Sequence, residues 1–429
     1  MKPSLTNSAY LQLAVSNINR VQGLAITALV YRLYDLATIG HYFFVLSIYG
    51  VLISAQQFGS SRTVVKYHIE NDSTGTTRIL KTRLLLSIAA MTIFMIATFS
   101  DKNPLSLAEM LLLALCLPMS ALIFDFALMS AHRFKALGII HAVAQLSLLI
   151  ILTLAYVNSI FGSTLTGTFI GSEEGAPTIV LHQLIPTIVL FFAIGIYVQR
   201  TDPGRLDPLN TLKALAHSQA VNLQYFVDNR LLIFTALFLA AVSFVDYLVG
   251  YIYLDAEGLG IWAGLLRLAS FAYGLMVALN TVFFAYGQKE KGSTSKTKKR
   301  ILRTVNLATI VFLLVIAYPY LRWVMNLNDP MSFGPAVVLI IMGVAVMPVF
   351  FLALSTIEEN NQQVNFWRLI RYITTSLIIY CICLILLMTT PMILTDPQTN
   401  LTWACLMFLV KWLLISISLW MFNAKSRVI

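Results

Sequence analysis

Long apolar runs, separated by short polar and mostly basic segments, recur along the whole of this chain. They cover approximately residues 10–31, 40–59, 83–100, 105–130, 137–161, 178–198, 231–252, 259–286, 304–325, 335–357, 370–392 and 401–422. Most approach the roughly 20 residues that a helix needs to cross about 30 Å of hydrocarbon. The pattern predicts an all-α polytopic membrane protein with twelve transmembrane helices. Residues 209–230 fit two readings: an amphipathic cytoplasmic helix ahead of span seven, or the first half of a long tilted span. Asp228 and Arg230 are interfacial in the first reading and intramembrane in the second. Pro118, Pro186, Pro319 and Pro348 fall inside spans four, six, nine and ten, where each removes a backbone hydrogen bond and favours a kink.

Charge orients these spans. Of 29 Lys and Arg, only Arg32, Lys102 and Arg322 fall in segments assigned outside, while Arg20, Arg230, Arg267 and Lys411 lie in or at the ends of apolar runs. The others fall in segments on one side, and Lys- and Arg-rich short loops stay cytoplasmic, so both termini are placed there. Composition agrees: 58% hydrophobic and 11% charged residues are too apolar for a soluble chain of this length. The formal net charge of +10 is spread over many short loops rather than one face, which argues against a nucleic-acid partner and for lipid headgroups. The first apolar run is long enough to remain as a span rather than be cleaved as a signal peptide. Cys116, Cys381, Cys383 and Cys405 all sit in apolar runs, which implies neither a disulfide framework nor a metal site.

A short repeat divides the chain. Tyr31, Asp35, Ile39, Gly40 and Tyr42 in the first external hairpin match Tyr251, Asp255, Leu259, Gly260 and Trp262 in the fourth, at a constant offset of 220. Two pseudo-symmetric six-helix bundles follow, residues 1–200 and 231–429, joined by a cytoplasmic linker over 201–230. Two parallel bundles of this kind enclose a cavity and can rock for alternating access.

The stretch Arg32–Tyr67 with its exit Gly59-Ser-Ser-Arg62-Thr-Val-Val-Lys66-Tyr67, the Arg133-Phe134-Lys135 segment, and Val245–Ser270 with Asp246 and Gly250 resemble bacterial polysaccharide (O-antigen) flippases. These flippases belong to the MOP exporter superfamily, which also holds multidrug extruders. Tyr247 stands where that family usually carries Arg. The resemblance implies the MOP exporter fold, the bacterial inner membrane, a polyprenyl-diphosphate-linked glycan as substrate, and polysaccharide polymerase and chain-length proteins as partners. No cofactor or metal is implied.

The residues support such a substrate independently. A cation within a bilayer costs roughly 2.5–3.5 kcal/mol even on the lenient scale, so it is kept where it meets an anion or lines a wet cavity. Arg20 falls near the centre of span one, within a polar stripe of Gln12, Ser16, Asn19, Gly23 and Thr27 on one helical face. Lys411 is central in span twelve, and Arg267 lies in span eight beside Gly264, Ser270 and Gly274. Arg20, Lys411 and Arg267 are therefore candidate diphosphate ligands, since Arg grips phosphate bidentately and Lys holds it as a point charge. Asn17, Gln22 and Asn280 are candidate polar walls for the sugars.

Each has a plainer alternative. Arg267 and Asp246 lie equidistant from the middle of the span seven–eight hairpin, which suits an ion pair as well as a ligand site. Asp125 fits pairing with Arg133 or Lys135, or a protonatable coupling role, and Asp228 is a third candidate carboxylate. His141 and His182, alone in apolar surroundings, read as packing residues. Gly287-Gln-Lys-Glu-Lys-Gly292-Ser-Thr imitates a phosphate loop but lacks Lys before its hydroxyl residue and follows a span rather than a strand. No His-Glu-x-x-His or Gly-x-Ser-x-Gly occurs, so catalysis is not expected. The competing readings are a drug or cation antiporter of the same fold, which calls for cavity carboxylates, and a membrane polymerase, which calls for a larger external loop.

Overall fold

The computed structural model describes residues 21–70, 72–98, 105–130, 133–161, 180–201, 208–287, 295–359, 365–388 and 397–426. Among them every regular element is a helix. Eleven helices are long and apolar enough to cross a membrane, and the shorter apolar helix Val21–Leu33 (α1) precedes them. The protein is an all-α, multi-pass membrane protein, and each apolar run of the sequence overlaps one of these helices, the first run through its residues from Val21 onward.

In the first half the helices are α2 (Leu36–Gln57), α3 (Ser60–Ile69), α4 (Ser73–Thr98), α5 (Leu107–Ala121), α6 (Asp125–Ser130), α7 (Phe134–Phe161) and α8 (Leu181–Thr201). A lead-in of α9 (Pro208–His217) and α10 (Leu223–Asp228) follows. The second half holds α11 (Arg230–Tyr253), α12 (Ala256–Gly287), α13 (Ser295–Pro319), α14 (Gly334–Glu359), α15 (Phe366–Met388) and α16 (Pro397–Ser426).

Local chemistry explains the boundaries. α5 opens on a capping box, in which the Ser106 hydroxyl accepts from Glu109 N–H at 3.3 Å and Glu109 Oε2 accepts from Ser106 N–H at 2.7 Å. Pro118 removes a donor near the end of α5, and the helix stops at Ala121 before α6 completes the crossing. Phe58 and Gly59, with φ of 36° and 64°, turn α2 into α3. Only glycine fits the second position, because a Cβ there would lie 2.5 Å from the Leu232 carbonyl oxygen.

Three expectations change in detail. Span three starts at Ser73 rather than near residue 83, which carries Arg78, Lys81 and Arg83 onto helix instead of loop. Span four is broken at residues 122–124. The 209–230 segment is not the first half of span seven: it forms two short helices, the second capped by Asn222, which accepts from Tyr225 N–H at 3.0 Å, and α11 begins afresh at Arg230.

Contacts divide the chain into two units, one formed by Asn17–Asp35 with His41–Val245, the other by Met1–Ser16, Leu36–Gly40 and Asp246–Ile429. In the N-terminal unit α4 packs on α5, α5 on α8, α7 on α8, and α3 on both α4 and α6. Its core includes Phe58, Ile79, Leu80, Phe124, Phe126, Ile194 and Tyr225. In the C-terminal unit α14 packs against α16 and α12, and α15 against α16. Trp262, Tyr320, Phe350, Phe351, Trp412 and Phe422 are among its fully buried large side chains.

Candidate functional site

The C-terminal site is organised by the hairpin between α11 and α12. α11 ends at Tyr253, and the Asp255 carboxylate accepts from Gly258 N–H at 2.8 Å, capping the start of α12. The matching hairpin between α1 and α2 has the same backbone form, with α1 ending at Leu33 and α2 starting at Leu36. The repeat-equivalent glycines abut. A Cβ on Gly40 would lie 2.7 Å from Gly260 N, and one on Gly260 would lie 2.1 Å from the Leu36 carbonyl oxygen. The shared glycines of the repeat thus let the two backbones come together at this point.

Two residues on, Trp262 Nε1 donates to the Asp246 carbonyl oxygen at 2.8 Å. Its indole covers Gly250, where a Cβ would lie 2.2 Å from Trp262 Cδ1. The Asp246–Gly250 spacing is therefore a seat for the indole, and it fixes the turn of α11 that carries the Asp246 carboxylate.

That carboxylate meets Lys411 on α16, with Lys411 Nζ 2.5 Å from Asp246 Oδ2. Both side chains are buried, at 8% and 2% exposure for Asp246 and Lys411. The ammonium also lies 5.2 Å from the Phe408 ring centroid and 5.1 Å from that of Trp412, within cation–π range. Trp412 in turn packs edge-on against Phe350 at 5.3 Å. A buried pair of this kind stands because each charge compensates the other; removing either leaves a desolvated ion.

The structure corrects the pairing suggested for Asp246. Equal depth on a hairpin singled out Arg267, but Lys411, 165 residues away in sequence, is the partner. Depth along neighbouring helices does not say which faces meet. Arg267, half-buried on α12, lies within electrostatic reach of Tyr247 and Tyr320. The Tyr320 hydroxyl donates to the Gly264 carbonyl oxygen at 3.0 Å, one turn before Arg267. Tyr320 opens a π-helical turn, Tyr320–Val324, just after Pro319, and Met325 N–H bonds back to the Tyr320 carbonyl at 3.0 Å. Such turns re-aim side chains by adding a residue per turn. Asn280 is buried further along α12.

In the N-terminal unit, Asp125 heads α6 and accepts from Phe126 N–H at 2.8 Å. Arg133 stands 6.0 Å from the Tyr197 ring centroid. Asp125 lies within electrostatic reach of Arg83 and His141 instead. Arg83, read from sequence as a loop cation, is 2% exposed and donates from Nε to Ser60 Oγ at 2.7 Å. Its place at the edge of an apolar run was the one signal that it enters the helix. Asp228 is exposed at the end of α10 and accepts from Gln224 Nε2 at 2.7 Å. His182 packs edge-on against Tyr42 and Phe43, as a packing residue does. Arg20 and the stripe residues Gln12, Ser16, Asn17 and Asn19 lie outside the described residues.

Solved structures place this architecture. An inward-facing multidrug resistance MATE family transporter of the MOP superfamily superposes with a TM-score of 0.62 over 98% of both chains. The fold is that of the MATE transporters. The Vibrio cholerae MATE transporter VcmN aligns at a TM-score of 0.56, over 98% of this chain and 95% of its own. A MATE complexed with MaD3S aligns at 0.54, over 99% and 96%. Sequence identities are 11%, 12% and 11% respectively, so the likeness is one of fold. No protein-family model and no curated protein matches the chain.

Proposed function

We propose that this chain is a transporter that flips a polyprenyl-diphosphate-linked oligosaccharide, an O-antigen-like repeat unit, across the bacterial cytoplasmic membrane by alternating access. The observation that carries this reading is the engagement of Asp246 by Lys411. A carrier of cations needs a carboxylate able to exchange partners with its cargo, and this buried carboxylate already holds a built-in ammonium. Arg20, Arg267 and Lys411 against Asp246 also leave the ionisable residues of spans one, seven, eight and twelve cationic in balance, which suits an anionic cargo.

In this reading the Arg267 guanidinium offers paired donors to a phosphate, with the phenols of Tyr247 and Tyr320 beside it. The diphosphate competes with Asp246 for Lys411, so the buried ammonium exchanges one anion for another. Asn280 contributes to the sugar contacts, and Arg20 keeps the ligand role its sequence context supports. The polymerase and chain-length proteins are the partners that would extend the flipped unit.

A second reading, a drug or cation antiporter, is favoured by the fold it shares with a multidrug resistance transporter. Deletion of the protein from its host separates the two. Flippase loss traps single lipid-linked repeat units where an impermeant sugar probe cannot reach them in intact spheroplasts, and surface polymer disappears. Repeat units that reach the outside point to a polymerase, and unchanged glycan pools favour the antiporter. Complementation with Arg267→Ala or Arg20→Ala, expressed at normal levels, should fail; full complementation removes that arginine from the mechanism.

A further inference from the structure

Between α8 and α11 the chain runs through a strap, formed by α9, residues 218–222 and α10, to which the transport reading assigns no role. Its inner side is fastened. Lys81 Nζ donates to the Leu215 and Ala216 carbonyl oxygens at 2.8 and 3.2 Å, satisfying acceptors at the C-terminal end of α9. The next residue, Thr82, accepts from Val221 N–H at 2.9 Å. Leu215 and Tyr225 are buried, and Phe58 packs against the rings of Tyr225 and Phe226 at 5.8 and 5.4 Å.

The outer side has the opposite character. Leu223 is 83% exposed, the most exposed large apolar residue among those described, and Val227, four residues on, is 52% exposed. Residues four apart in a helix share a face, so the two form one apolar edge. They belong to no membrane-length helix, yet α11 starts at Arg230, immediately after them. Exposed basic residues accompany the strap: Lys213 on α9, Arg230 at the head of α11, and Arg78 one turn before Lys81. Asp228, the acid on α10, is bonded to Gln224.

We propose that the strap is an interfacial lipid anchor, in which Leu223 and Val227 enter the headgroup–acyl boundary while Arg78, Lys213 and Arg230 attract anionic headgroups. Two observations favour lipid over a soluble partner. The apolar edge is continuous in sequence with a span whose exposed residues after Arg230, namely Leu237, Ala241 and Ile252, are apolar. The flanking charge complements an anionic leaflet, and an apolar edge with basic flanks is the composition of interfacial segments. Because Lys81 and Thr82 fasten the strap to α4, a pull by lipid on Leu223 is carried to α4.

The test does not depend on the transported substrate. Leu223→Cys, made in the full chain with Cys381→Ser and Cys383→Ser, is labelled with an environment-sensitive fluorophore and reconstituted in phosphatidylcholine vesicles with and without phosphatidylglycerol. Thr74→Cys, at an exposed position of α4, is the reference. The expected result is blue-shifted emission, quenched about twofold or more by lipid carrying a nitroxide near its headgroup and little by aqueous iodide. Phosphatidylglycerol should deepen that quenching, and Arg78→Glu with Lys213→Glu should remove the increase. Val227→Cys should behave in the same way, which covers a failure of the first variant to fold. Water-like emission with full iodide quenching in both lipids overturns the proposal. So does shielding that appears only when a cytoplasmic extract is added, since that marks a protein partner.

Discussion

The α1–α2 and α11–α12 hairpins share one backbone and carry different chemistry. Each ends its first helix, spends two residues in the link and starts the second helix one residue after an Asp, at a constant offset of 220. At the positions matched by that offset, Ile26 is fully buried where the second hairpin has Asp246, and Ser47 stands where it has Arg267. The matched aromatics also differ. Tyr42 Oη sits 3.5 Å from His182 Nδ1, whereas Trp262 Nε1 holds the Asp246 carbonyl at 2.8 Å. Ser47 satisfies its hydroxyl on its own helix, donating to the Phe44 carbonyl at 2.6 Å. The two hairpins share their helix ends and their closely approached glycines, so their other side-chain positions are left to carry either packing or charge. The described residues show charge at these positions only in the second copy, which is why the candidate site is drawn there.

Breaking the second hairpin's chemistry gives the largest expected effect. Lys411→Ala strands the buried Asp246 carboxylate and should destabilise the protein by about 3–5 kcal/mol, read from its unfolding temperature in detergent. Asp246→Asn with Lys411→Met should recover most of that loss, because neither charge is then buried. A single Lys411→Ala variant as stable as the wild type would show that the pair carries no structural weight.

Attacking what the hairpins share should have a smaller effect. Gly260→Ala forces a Cβ to 2.1 Å from the Leu36 carbonyl oxygen, and overpacking of this kind costs about 1–3 kcal/mol. Gly40→Ala, at 2.7 Å from Gly260 N, should cost less. The ratio of folded to aggregated protein on size exclusion ranks the two, and the reverse order would contradict the close approach at Gly260.

The finest distinction lies between the matched aromatics. Trp262→Phe loses a well-formed hydrogen bond and should cost about 1 kcal/mol. Tyr42→Phe weakens a contact at the limit of hydrogen-bond length and should cost less than Trp262→Phe, read from the unfolding temperature. Equal effects would mean that the two hairpins use their aromatics alike.

Much of the architecture was legible because membrane insertion is a local property. About 20 apolar residues satisfy their own backbone within one helix and need no distant partner to be recognised. The hairpin repeat was legible for the same reason, since an Asp cap and a glycine a few residues later act within one turn. The reach of α4 back to Ser73 was harder to see, because its first turns are polar and basic and are helical through packing rather than apolar content. The 209–230 segment stayed open until the contacts of Lys81 and Thr82 showed what holds it.

By itself, then, the sequence determined the number and boundaries of most spans, the hairpin repeat, and the presence of Asp246, Arg267 and Lys411 within apolar runs. Only the tertiary structure decided that Asp246 meets Lys411 rather than Arg267, that Arg83 is buried against Ser60, and that the Tyr320 hydroxyl reaches the Gly264 carbonyl. Hydrophobicity acts on each segment separately and can be read along the chain. The partner of a buried charge depends on which helix faces meet across hundreds of residues, and that is set by packing alone.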